Sequence, residues 1–201
     1  MERLIAAFSE PGIGLAGWRP RVPCGTLRYM RTCIRHRVNG GLYFFTVNLA
    51  QRHGNTLPVD RIDALRKAFR VTYAERPFDM PAWVVLPDHL HCLWQLPPGD
   101  DDCPTRWRLI KSRFSRAIEA NEGRKPSRGA KAERGLWQRR YWEHLIRNDA
   151  ELRAHIDYIH DNPVKHGHAT CAAGWPHSSF TRHVRNGVLP PGWAAVSRAG
   201  E

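Results

Sequence analysis

The stretch FDMPAWVVLPDHLHCLWQL, residues 78–96, contains two short apolar runs that meet at Pro87-Asp88. Both runs are rich in β-branched and aromatic residues, which is typical of strands in a folded core. Proline is tolerated where a strand begins or ends, so Pro87 is expected in a bend or a very tight connection. The pattern predicts strands over 78–86 and 89–96.

The flanking segments supply the remaining elements of the predicted sheet. LYFFTVNL, residues 42–49, is aromatic and β-branched and predicts a first strand. Apolar residues at helical spacing predict a helix from Asp60 to before Pro77 and another over 105–118. A short strand is expected over 141–146.

A last helix is expected to begin at Asn148, where Asn148 and Glu151 have the spacing of a capping box. It is expected to end near Asp161, because Pro163 disfavours helical conformation in the residue before it. The order β-α-β-β-α-β and one more helix predicts a ferredoxin-like α+β sandwich with an antiparallel sheet.

Three regions of different composition are expected along the chain. Residues 1–37 are rich in Gly, Pro and Arg and predict a flexible extension, and 38–168 form the predicted domain. Within the domain, 121–134 predicts a mobile loop because it is basic and broken by Gly and Pro. Residues 169–201 predict a tail that packs back by its aromatic side chains.

The charge of the chain points to a polyanionic partner. The 201 residues include 31 Lys and Arg against 19 Asp and Glu, a formal net charge of +12. Nucleic acid is the commonest partner of so basic a protein, although charge spread evenly for solubility is the alternative. The five cysteines form no CxxC pair, which argues against a disulfide framework or a zinc ribbon. A cytoplasmic, nucleoid-associated protein without a membrane span is therefore expected.

Four residues form the candidate chemical site. His89 and His91 share one face of a strand, and Tyr158 and Asn162 are neighbours on one helical face. Taken separately, they fit buried histidines, a boundary aromatic and a helix C-cap. Together they suit metal-assisted phosphoryl transfer, in which two imidazoles and an amide oxygen hold Mg²⁺ or Mn²⁺ and a tyrosine hydroxyl attacks phosphorus.

Several blocks of this chain resemble a known family. LPDHLHCLW at 86–94 is similar to the His-hydrophobic-His signature of the HUH single-tyrosine transposases. WQRRYWEHLIR at 137–147 and DYIHDNPVKHG at 157–167 resemble the REP-associated branch of bacterial proteins linked to repetitive extragenic palindromes. The similarity runs from about Gly40 to about Trp193, whereas the first 36 residues have no counterpart and the loop at 123–134 looks longer than usual.

The resemblance implies a function and a role for each residue of the site. His89 and His91 correspond to the metal-binding pair, Tyr158 to the catalytic tyrosine and Asn162 to the third metal ligand. The family cleaves and rejoins single-stranded DNA beside hairpins, forming a 5′-phosphotyrosine bond and leaving a free 3′-OH. Its REP-associated branch implies a monomer, and related insertion-sequence transposases imply that a dimer is the alternative.

Hairpin binding is expected to depend on basic side chains that contact phosphates. The alternative for any one of them is a solvated charged surface. Trp94, Trp142 and Trp175 are candidate stacking platforms for unpaired bases, with a place in the core as the alternative. The candidate phosphate contacts are Arg106, Lys111, Arg113, Arg116, Arg139, Arg140 and Arg147.

Two other functions stay open on the sequence. A chain whose site has lost its chemistry would be a palindrome-binding regulator. A chain that activates water instead of tyrosine would be a metal-dependent nuclease, which leaves free 5′-phosphate ends and no covalent adduct.

Overall fold

The computed structural model describes residues 37–118 and 135–193. The predicted extension at 1–37, apart from its last residue, and the predicted loop at 121–134 lie outside the described residues. The part of the predicted tail from 194 to 201 also lies outside them.

A four-stranded antiparallel sheet organises the domain. Its strands are β1 (Leu42–Asn48), β2 (Trp83–Val85), β3 (His89–Gln95) and β4 (Trp142–Leu145), in the spatial order β2-β3-β1-β4. All three neighbouring pairs are antiparallel, which confirms the predicted α+β class. The prediction for β2 was too long. Pro81 has no N–H to donate to a neighbouring strand, so residues 78–82 do not continue β2. They still contact β3 through an isolated bridge between Asp79 and Gln95 and through a hydrogen bond from Leu93 N to Ala82 O.

Two helices that follow β1 and β3 cover one face of the sheet. A single turn, α1 (Leu57–Asp60), precedes α2 (Ile62–Glu75), and α3 is Cys103–Arg116. The predicted start at Asp60 is therefore wrong by two residues, because Asp60 ends α1 instead of capping α2. The core on this face contains Phe45 and Trp94 from the sheet, with side chains of both helices packed over them.

The opposite face of the sheet is covered by the long helix α4 (Asp149–Lys165). Its apolar stripe, Leu152, Ile156 and Ile159, packs on side chains of β1, β2 and β3. The predicted end near Asp161 is wrong, because the helix continues through Pro163. Pro163 lies in the last turn, where its missing N–H leaves only one carbonyl without its helical partner.

The chain after α4 returns along the outer edge of β2. A short 3₁₀ turn (Ala172–Gly174) leads into this segment, and a small helix, α5 (Phe180–Arg185), follows it. Val85 N donates to His177 O (2.8 Å) and Ser179 N donates to Trp83 O (2.9 Å), so the segment pairs with an edge that would otherwise be open. Phe180 and Trp193 are buried in a small cluster of their own. None of the helices in 37–118 or 135–193 is long and apolar enough to span a membrane.

Candidate functional site

The two histidines of β3 face the side of the sheet that α4 covers. Successive strand residues alternate between faces, so His89 and His91 lie on one face and Leu90 and Cys92 belong to the other core. Both imidazoles are buried, and their ring centroids are 4.9 Å apart. The predicted pair is therefore formed under a helix and not on an open surface.

Helix α4 places the predicted tyrosine directly against this pair. The centroid of the Tyr158 ring lies 5.1 Å from that of His91, in an edge-to-face arrangement. Asn162, one turn further along α4, is fully buried. Its Nδ2 donates to the Tyr158 carbonyl at 3.4 Å, which leaves Oδ1 as the acceptor for another group.

Each histidine is oriented by a side chain that contacts Nδ1. The register of β1 and β3 puts Thr46 opposite His91, and Thr46 Oγ1 lies 2.9 Å from His91 Nδ1. The neighbouring Asp88 contacts His89 Nδ1 through Oδ1 at 2.5 Å. When each Nδ1–H donates to its oxygen, Nε2 of each ring keeps a lone pair, which is the form that binds a metal.

Burial and hydrogen bonding set the charges of these groups. Burial lowers the pKa of His91 well below its ordinary value. Burial also lowers the pKa of His89, although Asp88 acts in the opposite direction. Burial disfavours ionisation of Asp88, but hydrogen bonds from His89 and Arg52 outweigh it and lower the pKa of the carboxyl. At neutral pH the structure therefore combines neutral imidazoles with an ionised carboxylate.

The donor atoms fit a small divalent ion. His91 Nε2 and Asn162 Oδ1 are both buried and have no hydrogen-bond partner within the described parts of the chain. No group of three His, Cys, Asp or Glu side chains suited to a metal occurs in those parts, so a third protein ligand would be the amide oxygen. Two imidazole nitrogens and one hard oxygen suit Mn²⁺ or Mg²⁺, with positions left for phosphate oxygens and water.

Basic groups surround this end of the sheet. Lys165 Nζ lies 5.5 Å from the centre of the Tyr158 ring, and the ring centroids of His166 and His89 are 5.6 Å apart.

Two exposed arginines follow β1 at the same end of the sheet. Gln138 N donates to Asn48 O at 2.9 Å, and Asn48 is opposite His89 in the register of β1 and β3. Arg139 and Arg140 come directly after Gln138 and therefore lie beside the site.

The structure corrects one candidate for DNA contact. Arg106 was expected on the outer face of its helix, but it is only 1% exposed. Its guanidinium binds both carboxylate oxygens of Asp100 at 3.0 and 2.6 Å and donates to backbone carbonyls. The helical pattern of charged residues misplaced it, because that pattern does not show that the carboxylate of Asp100 binds the arginine from a neighbouring loop. Arg106 is therefore too buried to contact a DNA phosphate.

The other candidates on α3 lie across the sheet from Tyr158. Arg113 binds both oxygens of Glu75 at 2.6 Å, and Lys111 donates to the Gln138 carbonyl at 2.9 Å. Burial lowers the pKa of Lys111 to about 8.

Two other candidates are exposed but distant from the site. Arg116 is exposed on α3. Arg147 is exposed just before the start of α4, whereas Asn162 lies near the end of α4.

The three candidate stacking platforms have different environments. Trp94 is completely buried and stacks on Trp107 within the core. Trp142 is half-buried and lies edge-to-face with Phe44, with 5.6 Å between the ring centroids. Trp175 is half-buried as well, and its Nε1 donates to the Val85 carbonyl at 2.9 Å.

Sequence reasoning missed the residues that support the two histidines. Thr46 lies in the first predicted strand and Asp88 in the predicted bend before His89, but neither was assigned a role, and Arg52, which contacts Asp88, was not considered. A polar residue within the aromatic run LYFFTVNL was a signal for Thr46. Its partner could not be named without the register of β1 and β3.

Comparison with known proteins identifies close relatives in two bacteria. The REP-associated tyrosine transposase of Escherichia coli strain K12 is 45% identical over 160 residues, which cover 80% of this chain and 88% of the relative. A protein of Haemophilus influenzae described as a putative REP-associated tyrosine transposase is 43% identical over 164 residues, covering 79% and 90%. A scan against models of protein families found no match.

A solved structure has the same fold over most of the chain. It is described as a REP-associated tyrosine transposase bound to a REP hairpin, and it is 42% identical with a TM-score of 0.71. The match covers 86% of this chain and 98% of that one. The similarity therefore includes the sheet and helices that hold the candidate site.

Proposed function

Because this chain belongs to the family of REP-associated tyrosine transposases, we propose that it cuts and rejoins single-stranded DNA beside REP-type hairpins through a covalent bond to Tyr158. The observation that carries the proposal is the contact between Tyr158 and His91, next to His91 Nε2 and Asn162 Oδ1, two buried atoms without a hydrogen-bond partner in the part of the chain that the structure describes. Buried polar atoms are normally hydrogen-bonded, so an unpaired nitrogen and an unpaired oxygen beside a tyrosine fit a site that binds an ion.

The reaction we propose is a phosphoryl transfer to the tyrosine. The Tyr158 oxygen attacks phosphorus and loses its proton, and a P–O bond to Tyr158 forms as the bond to O3′ breaks. O3′ takes up a proton and leaves as a free 3′-OH, while the 5′-phosphate stays on the protein. The phosphotyrosine keeps the energy of the broken bond, so attack by a 3′-OH rejoins DNA without another energy source.

Nε2 of His89 and His91 and Oδ1 of Asn162 are the atoms that would hold Mn²⁺ or Mg²⁺. When bound, the ion would polarise the scissile phosphate and neutralise charge in the transition state. Thr46 and Asp88 hold the two imidazoles in orientation, and the packing of α4 on the sheet holds Tyr158 beside them. Positioning of this kind supplies much of the rate in phosphoryl transfer.

DNA would approach from the basic end of the sheet. Arg139, Arg140 and Lys165 are exposed near the site and are the phosphate contacts that we favour. Arg116 and Arg147 are more distant and would contact a hairpin only if it extended around the domain. A monomer is the form we expect to act, as the family resemblance implies.

A covalent-adduct assay tests the proposal. Purified protein is incubated with Mn²⁺ and a 5′-labelled and a 3′-labelled hairpin oligonucleotide from the DNA flanking its gene, and products are separated on a denaturing gel. We expect an adduct with the label on the 3′ side of the cut, and none with Tyr158→Phe. Free 5′-phosphate ends in both proteins would indicate a water-using nuclease. Hairpin binding without cleavage would indicate a regulator.

A further inference from the structure

Three charged or polar side chains form a continuous path from the surface to the histidine pair. Arg52 Nε donates to Asp88 Oδ2 at 2.6 Å, and Asp88 Oδ1 lies 2.5 Å from His89 Nδ1. The carboxylate thus uses one oxygen for each neighbour. The backbone supports this arrangement, since Leu49 N donates to Asp88 O at 2.9 Å and brings the turn after β1 against the bend before β3.

Exposure decreases along the path. The side chains of Arg52, Asp88 and His89 are 47%, 20% and 6% exposed. Only Nε of the Arg52 guanidinium is engaged, and its two terminal nitrogens contact no acceptor in residues 37–118 or 135–193. The free edge of a guanidinium presents two parallel N–H donors, which match the oxygens of a phosphate.

We infer that Arg52 binds a DNA phosphate through its terminal nitrogens and, through Asp88, holds His89 in the orientation that binds the metal. The inference rests on the proposed function and adds a coupling between its two ligands. A phosphate that fixes Arg52 also fixes Asp88 and therefore His89, so hairpin binding raises the affinity for the ion. Coupling between binding sites is reciprocal, and the ion must raise the affinity for the hairpin by the same factor.

A simple electrostatic effect would have the opposite sign. Arg52 is positive, so a role through charge alone would repel a divalent cation, and its removal would tighten metal binding. A role in holding Asp88 predicts that its removal weakens metal binding. The effect should also disappear when Asp88 no longer accepts its hydrogen bond, because the influence of Arg52 passes through that carboxylate.

Equilibrium binding of Mn²⁺ separates these possibilities. The dissociation constant of Mn²⁺ is measured by electron paramagnetic resonance in the Tyr158→Phe protein, which cannot cleave, with and without saturating hairpin oligonucleotide. Arg52→Gln should weaken Mn²⁺ binding about threefold or more and reduce the effect of the hairpin by a similar factor. Asp88→Asn should weaken Mn²⁺ binding about 10- to 100-fold, as expected for a group that orients a metal ligand.

Two controls make the result specific. Arg140→Gln removes an exposed arginine near the site that makes no hydrogen bond to Asp88 or to either histidine in residues 37–118 or 135–193, and it should weaken hairpin binding while leaving the coupling unchanged. Adding Arg52→Gln to Asp88→Asn should cause no further loss of Mn²⁺ affinity.

The outcomes distinguish this inference from the proposed function. Equal coupling in Arg52→Gln and in the unchanged Arg52 protein, or tighter Mn²⁺ binding in Arg52→Gln, would overturn the inference while an adduct at Tyr158 still supported the function. Failure of the unmodified protein to form an adduct would instead remove the function itself.

Discussion

A single hydroxyl illustrates how the site depends on individual residues. Thr46 lies in the strand LYFFTVN, on the face of the sheet that α4 covers, and Phe44 lies on the same face. The Phe44 ring packs against the rings of both His91 and Tyr158, at 5.4 and 5.9 Å between centroids. Thr46 supplies a polar contact beside it, and with Phe44 it leaves the His91 ring little freedom to rotate.

We expect Thr46→Val to weaken Mn²⁺ binding about 10-fold or more, because the isosteric side chain cannot accept from His91 Nδ1. Thr46→Ser keeps the hydroxyl and should stay close to the unmodified protein. Calorimetric titration of the two variants with Mn²⁺ provides the measurement. Equal affinity in Thr46→Val and Thr46→Ser would show that Phe44 alone orients the ring.

Residues that act through local spacing could be predicted from the sequence. His89 and His91 are two apart in a strand, and Tyr158 and Asn162 are four apart in a helix, so backbone geometry alone pairs them. Thr46 could not be assigned, because its contact depends on pairing between distant strands. Arg106 was misplaced for a related reason, since a charge pattern along a helix does not reveal a carboxylate that approaches from a loop.

Helix α4 carries Tyr158 and Asn162, and its position depends on both of its ends. The predicted capping box is present at its start, where Asn148 Oδ1 accepts from Glu151 N at 2.9 Å. Glu151 Oε2 returns to Arg147 N at 3.0 Å, one residue before the position that the motif predicts. The far end differed from expectation, because the helix continues through a buried Pro163 and ends at Lys165.

Removal of the cap tests the contribution of this end. Asn148→Ala should lower the free energy of unfolding by about 1 kcal/mol, since the N–H of Glu151 loses its acceptor at the start of the helix. Asn148→Asp keeps an acceptor and should retain most of that stability. Urea unfolding of the three proteins at neutral pH is the measurement, and an equal loss in both variants would contradict the capping role.

The sheet separates the aromatic core of the domain from the candidate site. The face under α2 and α3 contains the aromatic core, and the face under α4 contains the histidines and Tyr158. The order of elements predicted the first arrangement, because βαβ-type patterns place helices on a sheet. The segment after α4 was less predictable, since its pairing with the edge of β2 uses backbone groups that carry no sequence signal.

The segment that follows α4 places a buried histidine, His183, beside His160 of that helix. His183 Nε2 donates to the Pro81 carbonyl at 2.8 Å, and its ring lies 4.8 Å from that of His160. Burial lowers the pKa of His183 to about 4, while the bond to Pro81 raises it and Arg182 lowers it further. Burial likewise holds the pKa of His160 well below its ordinary value.

Stability should therefore decrease in mild acid. The pKa of His183 rises to its ordinary 6.5 on unfolding, so its contribution is complete above pH 6.5 and is lost progressively as the pH falls to about 4. By pH 5 the loss from this residue should be about 2 kcal/mol. His183→Gln keeps a donor for Pro81 but cannot be protonated, so its free energy of unfolding should fall less between pH 7 and pH 5. The exposed His53→Gln should behave as the unmodified protein. Parallel pH profiles for all three proteins in urea unfolding would show that His183 does not remain neutral when the protein is folded.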